Sequence, residues 1–144
     1  MSKEEIDSFL SQPLIGKVAS FNKDGTIHVT PCWYFYEDGT FTMVWPSSKK
    51  ATNVQRNGKI TFLVDSEAFP YKGVIASGKA TVDGKDILSN RLKMFSRYLP
   101  SDQAQGMAKM ITDSWPGVVV RMRPTSVTSF DYSKGALVTP PATA

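Results

Sequence analysis

The segment Trp45-Pro46-Ser47-Ser48-Lys49-Lys50-Ala51-Thr52-Asn53 has the most chemical content in the chain. Lys49 to Asn57 reads as a short helix. A helix start presents unpaired backbone N–H groups and the positive end of the macrodipole, so acidic residues are favoured there. This one has two lysines in its first turn and no acid until Asp65. Ser47 and Ser48 add hydroxyl donors. Lys50 and Asn53, three residues apart, share a helix face. A phosphate would satisfy the N–H groups, hydroxyls and ammonium groups together. The same residues also suit Ser48 as an ordinary N-cap with both lysines in solvent, since a first-turn mismatch costs only about 0.3–1 kcal/mol. The segment lacks the glycine-rich run of a P-loop.

Few other side chains could do chemistry. The 144 residues include one histidine, His28, and one cysteine, Cys32. That excludes an intrachain disulfide, a zinc site built on paired cysteines and a two-histidine metal centre. His28 could contact a phosphate or donate a proton near neutral pH, or be a half-exposed strand residue. Cys32, between Pro31 and Trp33, reads as a small buried thiol. In Trp33-Tyr34-Phe35-Tyr36 two rings point each way. An outward pair could stack on a planar ligand or on bases, or one pair could fill the core and the other an interface. Arg121 and Arg123 share a strand face, where they could neutralise an anion or pair with acids across an interface. The net charge of +4 is modest. It suits a small anionic ligand and lacks the basic stripe of a nucleic-acid binder. No apolar run reaches the roughly 18 residues of a membrane helix. The mixed-charge start Met1-Ser2-Lys3-Glu4-Glu5 leads to an expectation of a cytoplasmic protein.

The elements that must position these residues follow from hydrophobic period and turn chemistry. Ile6, Phe9 and Leu10 mark a helix over 3–12, ended by Gln12-Pro13. Strands are expected over 14–22, 26–36, 40–45, 59–65, 72–82, 117–123 and 126–132. Asp24-Gly25 and Asp38-Gly39 supply hairpin turns, and Pro31 suggests an edge or bulge. Gly58 is expected as a left-handed cap of the 49–57 helix, and Gly73 and Gly78 as bends in a long strand. Helices are expected over 86–98 and 103–115. Consecutive hairpins imply antiparallel pairing. The economical fold is a mainly β, six- to seven-stranded antiparallel barrel with a few peripheral helices. It forms one domain over residues 1–134, with a flexible tail over 135–144.

The order of segments resembles the pyridoxamine 5′-phosphate oxidase-like family. The resemblance runs through Tyr36-Glu37-Asp38-Gly39, Ser48-Lys49-Lys50-Ala51 and Asn57-Gly58-Lys59-Ile60-Thr61-Phe62-Leu63. It continues in Pro70-Tyr71-Lys72-Gly73-Val74, Ser77-Gly78-Lys79-Ala80 and Val118-Val119-Val120-Arg121-Met122-Arg123-Pro124, followed by Phe130-Asp131-Tyr132, and covers roughly residues 5–134. It implies a split β-barrel that binds flavin mononucleotide (FMN) or a deazaflavin (coenzyme F-420) at a homodimer interface. By position, Ser47, Ser48, Lys49 and Lys50 would grip the phosphate, with His28 near it. Thr30, Pro31, Cys32 and Trp33 would lie along the flavin ring. Met43, Val44 and Trp45 would lie under the ring and ribityl chain. Lys50 with Asn53 matches the deazaflavin-binding branch.

There are departures from the family pattern. The oxidase's basic pair on the second strand is here His28 and Trp33, and Gly73 stands where the family has a glutamine. The oxidase's substrate-gripping C-terminal segment has no counterpart in Leu137-Val138-Thr139-Pro140-Pro141. The expectation is therefore a flavin-dependent oxidoreductase acting on some other small molecule, with a nicotinamide as possible electron donor. No catalytic side chain is assigned, because the flavin ring would carry the hydride. A deazaflavin-dependent reductase and a non-catalytic flavin or haem carrier, with His28 as the available axial ligand, are the alternatives. Single-stranded nucleic acid stacked on Tyr34 and Tyr36 is a further, disfavoured one.

Overall fold

The computed structural model describes residues 1–134, so the expected tail over 135–144 lies outside the described residues. In chain order the elements are α1 (Lys3–Leu10), β1 (Gly16–Phe21), β2 (Ile27–Cys32), β3 (Phe35–Glu37), β4 (Thr40–Trp45), α2 (Lys49–Arg56), β5 (Lys59–Asp65) and β6 (Lys72–Asp83). They continue with α3 (Ile87–Phe95), α4 (Ser101–Ser114), β7 (Val118–Met122), β8 (Ser126–Asp131) and a closing 3-10 turn (Tyr132–Lys134). The sheet order is β2-β1-β5-β6-β7-β4-β3, with β8 branching from β6. Every pairing is antiparallel.

Local chemistry sets the turns. Asp38 and Gly39 both have positive φ, +49° and +75°, as a two-residue type I′ hairpin requires. The Gly25 N–H donates to the Asn22 carbonyl at 3.0 Å, and Gly25 takes φ +86°. This is a type I turn closed by a left-handed residue. The long strand β6 changes partner along its length: Lys72–Ser77 pairs with β8 and Ala80–Asp83 with β7. Gly78 sits at the changeover, where a Cβ would lie 3.0 Å from the Arg123 carbonyl oxygen and from Met122 Sδ.

Gly58 differs from expectation. The helix α2 ends on Asn57 in an extended conformation, φ −140° and ψ 106°, so Gly58 is no left-handed cap. It is needed for a close approach, because a Cβ there would sit 2.8 Å from the Ala80 carbonyl oxygen.

Two apolar clusters form, on opposite faces of the curved sheet. The barrel interior holds Val18, Tyr34, Phe41, Met43, Trp45, Phe62, Val74 and Met122, plugged by Phe9 and Leu10 of α1 and Ala51 and Val54 of α2. On the other face, Phe35, Val44 and Val119 pack under Met94, Phe95, Ala104 and Ala108 of α3 and α4. Burying a large side chain of this kind contributes about 1.5–3 kcal/mol. No described helix is long and apolar enough to cross a membrane.

The strand expected over 26–36 is interrupted, which gives eight strands where six or seven were expected. Pro31 has no N–H for a ladder. Two residues on, Trp33 and Tyr34 leave the sheet: the Tyr34 N–H donates to Tyr98 Oη at 3.3 Å. Tyr98 Oη in turn donates to the Leu14 carbonyl at 2.8 Å. Arg97 donates to the carbonyls of Tyr34, Leu10 (3.1 Å) and Gln12. One guanidinium thus ties the end of α1, the β2–β3 break and the residues after α3.

Replacing Arg97 with alanine leaves these carbonyls short of a donor. We expect Arg97→Ala to lower stability by about 2 kcal/mol, read from the midpoint of urea unfolding, and Arg97→Lys to recover less than half of the loss because lysine lacks the fork.

Candidate functional site

Among the described residues, the strand β2 bonds to the sheet through β1 alone. Its Cys32 end lies near Lys50 at the start of α2. Alternation places His28, Thr30 and Cys32 on the inward face, opposite Ser20, Val18 and Gly16 of β1. Val18 and Cys32 belong to the interior cluster.

Lys50 reaches into this region rather than into solvent. Its Nζ lies 5.1 Å from the centroid of the Trp45 ring, a cation–π contact. Burial holds its pKa below the ordinary lysine value, and the nearby Cys32 thiol partly offsets this. Burial likewise pushes the Cys32 thiol up to about 12, with Lys50 acting the other way. Beside this pair, two buried polar atoms have no hydrogen-bond partner: Thr30 Oγ1 and Trp45 Nε1. Buried polar groups are nearly always satisfied, and each unmet one costs about 1–3 kcal/mol. A hydroxyl two residues from Cys32, the indole donor of Trp45 and the Lys50 ammonium against its ring thus belong to neighbouring residues with unmet polar demand. They suit a flat, hydrogen-bonding, anionic cofactor.

The start of α2 joins this group. Ser48 is the N-cap, its Oγ accepting from the Ala51 N–H at 3.3 Å. Ser47 and Lys49 are exposed. Lys49 is close enough to Asp24 to help lower that carboxyl's pKa, after the larger effect of hydrogen bonds from Thr26. The N-cap reading of Ser48 and the anion-binding reading of the lysines are therefore compatible: the cap uses one N–H and leaves the ammonium groups.

Three of the expected residues face elsewhere. Trp33 stacks on Tyr98, with centroids 4.6 Å apart and planes at 6°. It also meets Phe95 edge-on at 5.2 Å. Val44 lies in the cluster under α3 and α4. Pro31 is exposed on the outer sheet face. Asn53 is buried and occupied: its Nδ2 donates to Ser20 Oγ (3.2 Å) and Asn22 Oδ1 (3.0 Å), while its Oδ1 accepts from Arg56 (2.9 Å). It clamps α2 to β1.

Other candidates resolve into structural roles. Tyr34 is fully buried, and Tyr36 Oη donates to Asp7 at 3.1 Å, so these two do not form a stacking platform for bases. Arg121 pairs with Asp83 at 3.2 Å. Arg123 donates to the Asp38 carbonyl at 2.8 Å. At Gly73, a Cβ would run into the Phe130 ring, so the family's glutamine has no room there. No cluster of three metal-ligating side chains occurs among the described residues.

Sequence reasoning missed what steadies Trp45. Gly117 has φ +77°, and a Cβ on it would collide with the Trp45 carbonyl. Arg91, 1% exposed, holds the preceding turn by donating to the Pro116 carbonyl (2.8 Å) and Thr112 Oγ1 (2.7 Å). The available signal was an arginine within the apolar stripe of α3.

Comparison with known proteins agrees with this architecture. A family model described as pyridoxamine 5′-phosphate oxidase matches residues 2–127. Among solved structures, a conserved hypothetical protein from Mycobacterium tuberculosis is 25% identical with TM-score 0.79, over 100% of this chain and 92% of that one. An F420 reductase is 23% identical with TM-score 0.67, over 85% and 94%. The haem storage protein HutZ from Vibrio cholerae is 14% identical with TM-score 0.69, over 90% and 93%. No curated protein matches significantly in sequence.

The Cys32 environment gives a direct check. A thiol held near 12 has on the order of 10³ less thiolate at pH 8 than a free one. Ellman's reagent at pH 8 should leave the native protein unmodified and react with one thiol once urea unfolds it.

Proposed function

Because the chain belongs to the pyridoxamine 5′-phosphate oxidase family, we propose that it is a flavin-dependent oxidoreductase that holds FMN between β2 and the β4–α2 junction and passes hydride or electrons to a small-molecule substrate. One observation carries the reading. Two orphaned buried polar atoms, Thr30 Oγ1 and Trp45 Nε1, lie in the same region as a lysine drawn inward at a helix start. The flavin ring supplies the hydride chemistry when bound.

The chain's residues do the rest. Lys49, Lys50, Ser47 and the first N–H groups of α2 hold the phosphate. Trp45 Nε1 donates to the ring system, and Thr30 and Cys32 line it. His28, half-buried on the same strand face, stands beside the phosphate end. The apolar interior excludes water. Hydride transfer asks for no general acid or base from the protein, in keeping with one histidine and an inert thiol.

A second copy completes the site in this reading. The outer face of the sheet presents Ile27 (65% exposed), Val29 (61%), Phe21 (38%) and Ile75 (39%). Exposed apolar side chains on one sheet face suit burial against another molecule. The deazaflavin alternative relies on Asn53, which is engaged inside the chain. The haem alternative relies on His28 alone. FMN therefore stays first.

An absorption spectrum of the purified protein, or titration of the colourless protein with FMN, should give a flavin band and a complex. A Soret band instead would favour haem, and a violet-shifted band a deazaflavin. Lys49→Ala/Lys50→Ala should weaken FMN binding at least about tenfold, or about 1.4 kcal/mol; unchanged affinity would overturn the phosphate assignment.

Lys50 adds a pH signature. Its folded pKa lies below its unfolded value, so the burial cost of its charge is present at low pH and is relieved as pH rises through the folded pKa. An anion beside it favours the ammonium form. FMN affinity should therefore fall as pH rises, beginning below the ordinary lysine pKa of about 10.4, and Lys50→Met should flatten that fall.

A further inference from the structure

A cleft of about 1080 Å³ opens at the far end of α2 from Lys49 and Lys50. It lies between the β1–β2 hairpin, the α2–β5 junction and the end of β6. Four cations line it: Lys23, Arg56, Lys59 and Lys79. One carboxylate does, Asp83, and that one is paired with Arg121. None of the four cations forms an ion pair among the described residues.

The arrangement is locally costly. Lys59 and Lys79 stand directly opposite each other on β5 and β6, with Cα atoms about 5 Å apart. Like charges so placed destabilise a sheet. The cleft is also built. Arg56 is held through one nitrogen, donating to the Phe21 carbonyl (2.7 Å) and Asn53 Oδ1 (2.9 Å). The rest of its guanidinium has no partner among the described residues. A Cβ on Gly58 would lie 3.2 Å from Lys79 Cγ, so the lysine stem runs close over the glycine. Val54, Val82 and Val118 form apolar walls, and low-dielectric walls focus the field of the charges they flank.

We propose that this cleft is a second anion site, which binds a small oligoanion: an oligophosphate or oligocarboxylate with at least two negative charges. One monoanion could not offset both opposed lysines and Arg56. Arg56 lies seven residues from Lys49, about 10 Å along the helix, so the cleft is separate from the proposed phosphate grip. Asn53 links the two, since it bonds Arg56 and clamps the same helix to β1.

The test uses calorimetric titration of the full chain with sodium tripolyphosphate and, separately, citrate. Lys49→Ala/Lys50→Ala serves as background, so that the proposed FMN phosphate site does not contribute. We expect one saturable site per chain, weakening as salt rises. Adding Lys59→Gln/Lys79→Gln should weaken it at least about tenfold without lowering Tm, because the like-charge pair is relieved. Binding of either probe supports the site, and their ratio tells phosphate from carboxylate chemistry. Lys59→Gln/Lys79→Gln alone should bind FMN as the unmodified chain does, which keeps failure of this site distinguishable from failure of the flavin reading. The proposal is overturned if neither probe binds, if binding survives Lys59→Gln/Lys79→Gln, or if only a long oligonucleotide binds.

Discussion

The break between β2 and β3 is the constraint on which the rest of the structure depends. The β1–β2 ladder runs through Pro31 to Cys32, and the capture of Tyr34 by Tyr98 and Arg97 then takes the chain out of the sheet. Because it stops, β2 has a partner on one side only among the described residues, and its end at Cys32 meets Lys50, which lies against Trp45. The break also sorts the aromatic run. Tyr34 and Tyr36 turn toward the interior, while Trp33 and Phe35 turn to the helices. A secondary-structure interruption thus does the work of both opening a cleft and anchoring α3.

Much of the architecture is legible from one-dimensional chemistry. The Asp-Gly turns, the two-residue period of β5 and the bend at Gly78 follow from local rules, and so does the helix at Lys49. The like-charged first turn of α2 marks the region where the orphaned atoms lie. Other features depend on the third dimension. Thr30 and Trp45 are ordinary residues in sequence, and their unmet hydrogen bonds exist only because two distant strands bury them. Trp33 and Val44 alternate correctly along their strands, but the second face is also buried, under α3 and α4, so alternation alone does not say which face holds a ligand. Arg97 looks like a helix surface residue, and Arg91 is marked only by its place in the apolar stripe of α3. Their acceptors are backbone carbonyls 85 and 25 residues away, which no local pattern encodes.

Charge follows the same logic. Seven ion pairs occupy most of the described acids, several at separations of four residues or across neighbouring strands. Of the cations outside these pairs, Lys49, Lys50 and Arg56 sit at the two ends of one eight-residue helix, and Asn53 stands between the ends. The helix is short, polar and weakly helical by composition. Its position comes from Ala51 and Val54 in the core and from the Asn53 clamp, more than from its own propensity.

The outward face of β2 carries a consequence for how the chain behaves in a crowded solution. Ile27 and Val29 lie on a strand whose second edge is unpaired among the described residues, so greasy side chains and free backbone groups coincide. That combination is a template for adventitious strand addition. Natural edges are usually blunted with charge, and on this face of β2 only Pro31 serves that purpose. A lone molecule therefore carries a hazard that a correctly seated neighbour removes. Assembly here would act as a safeguard against misassociation as well as a way of building a pocket.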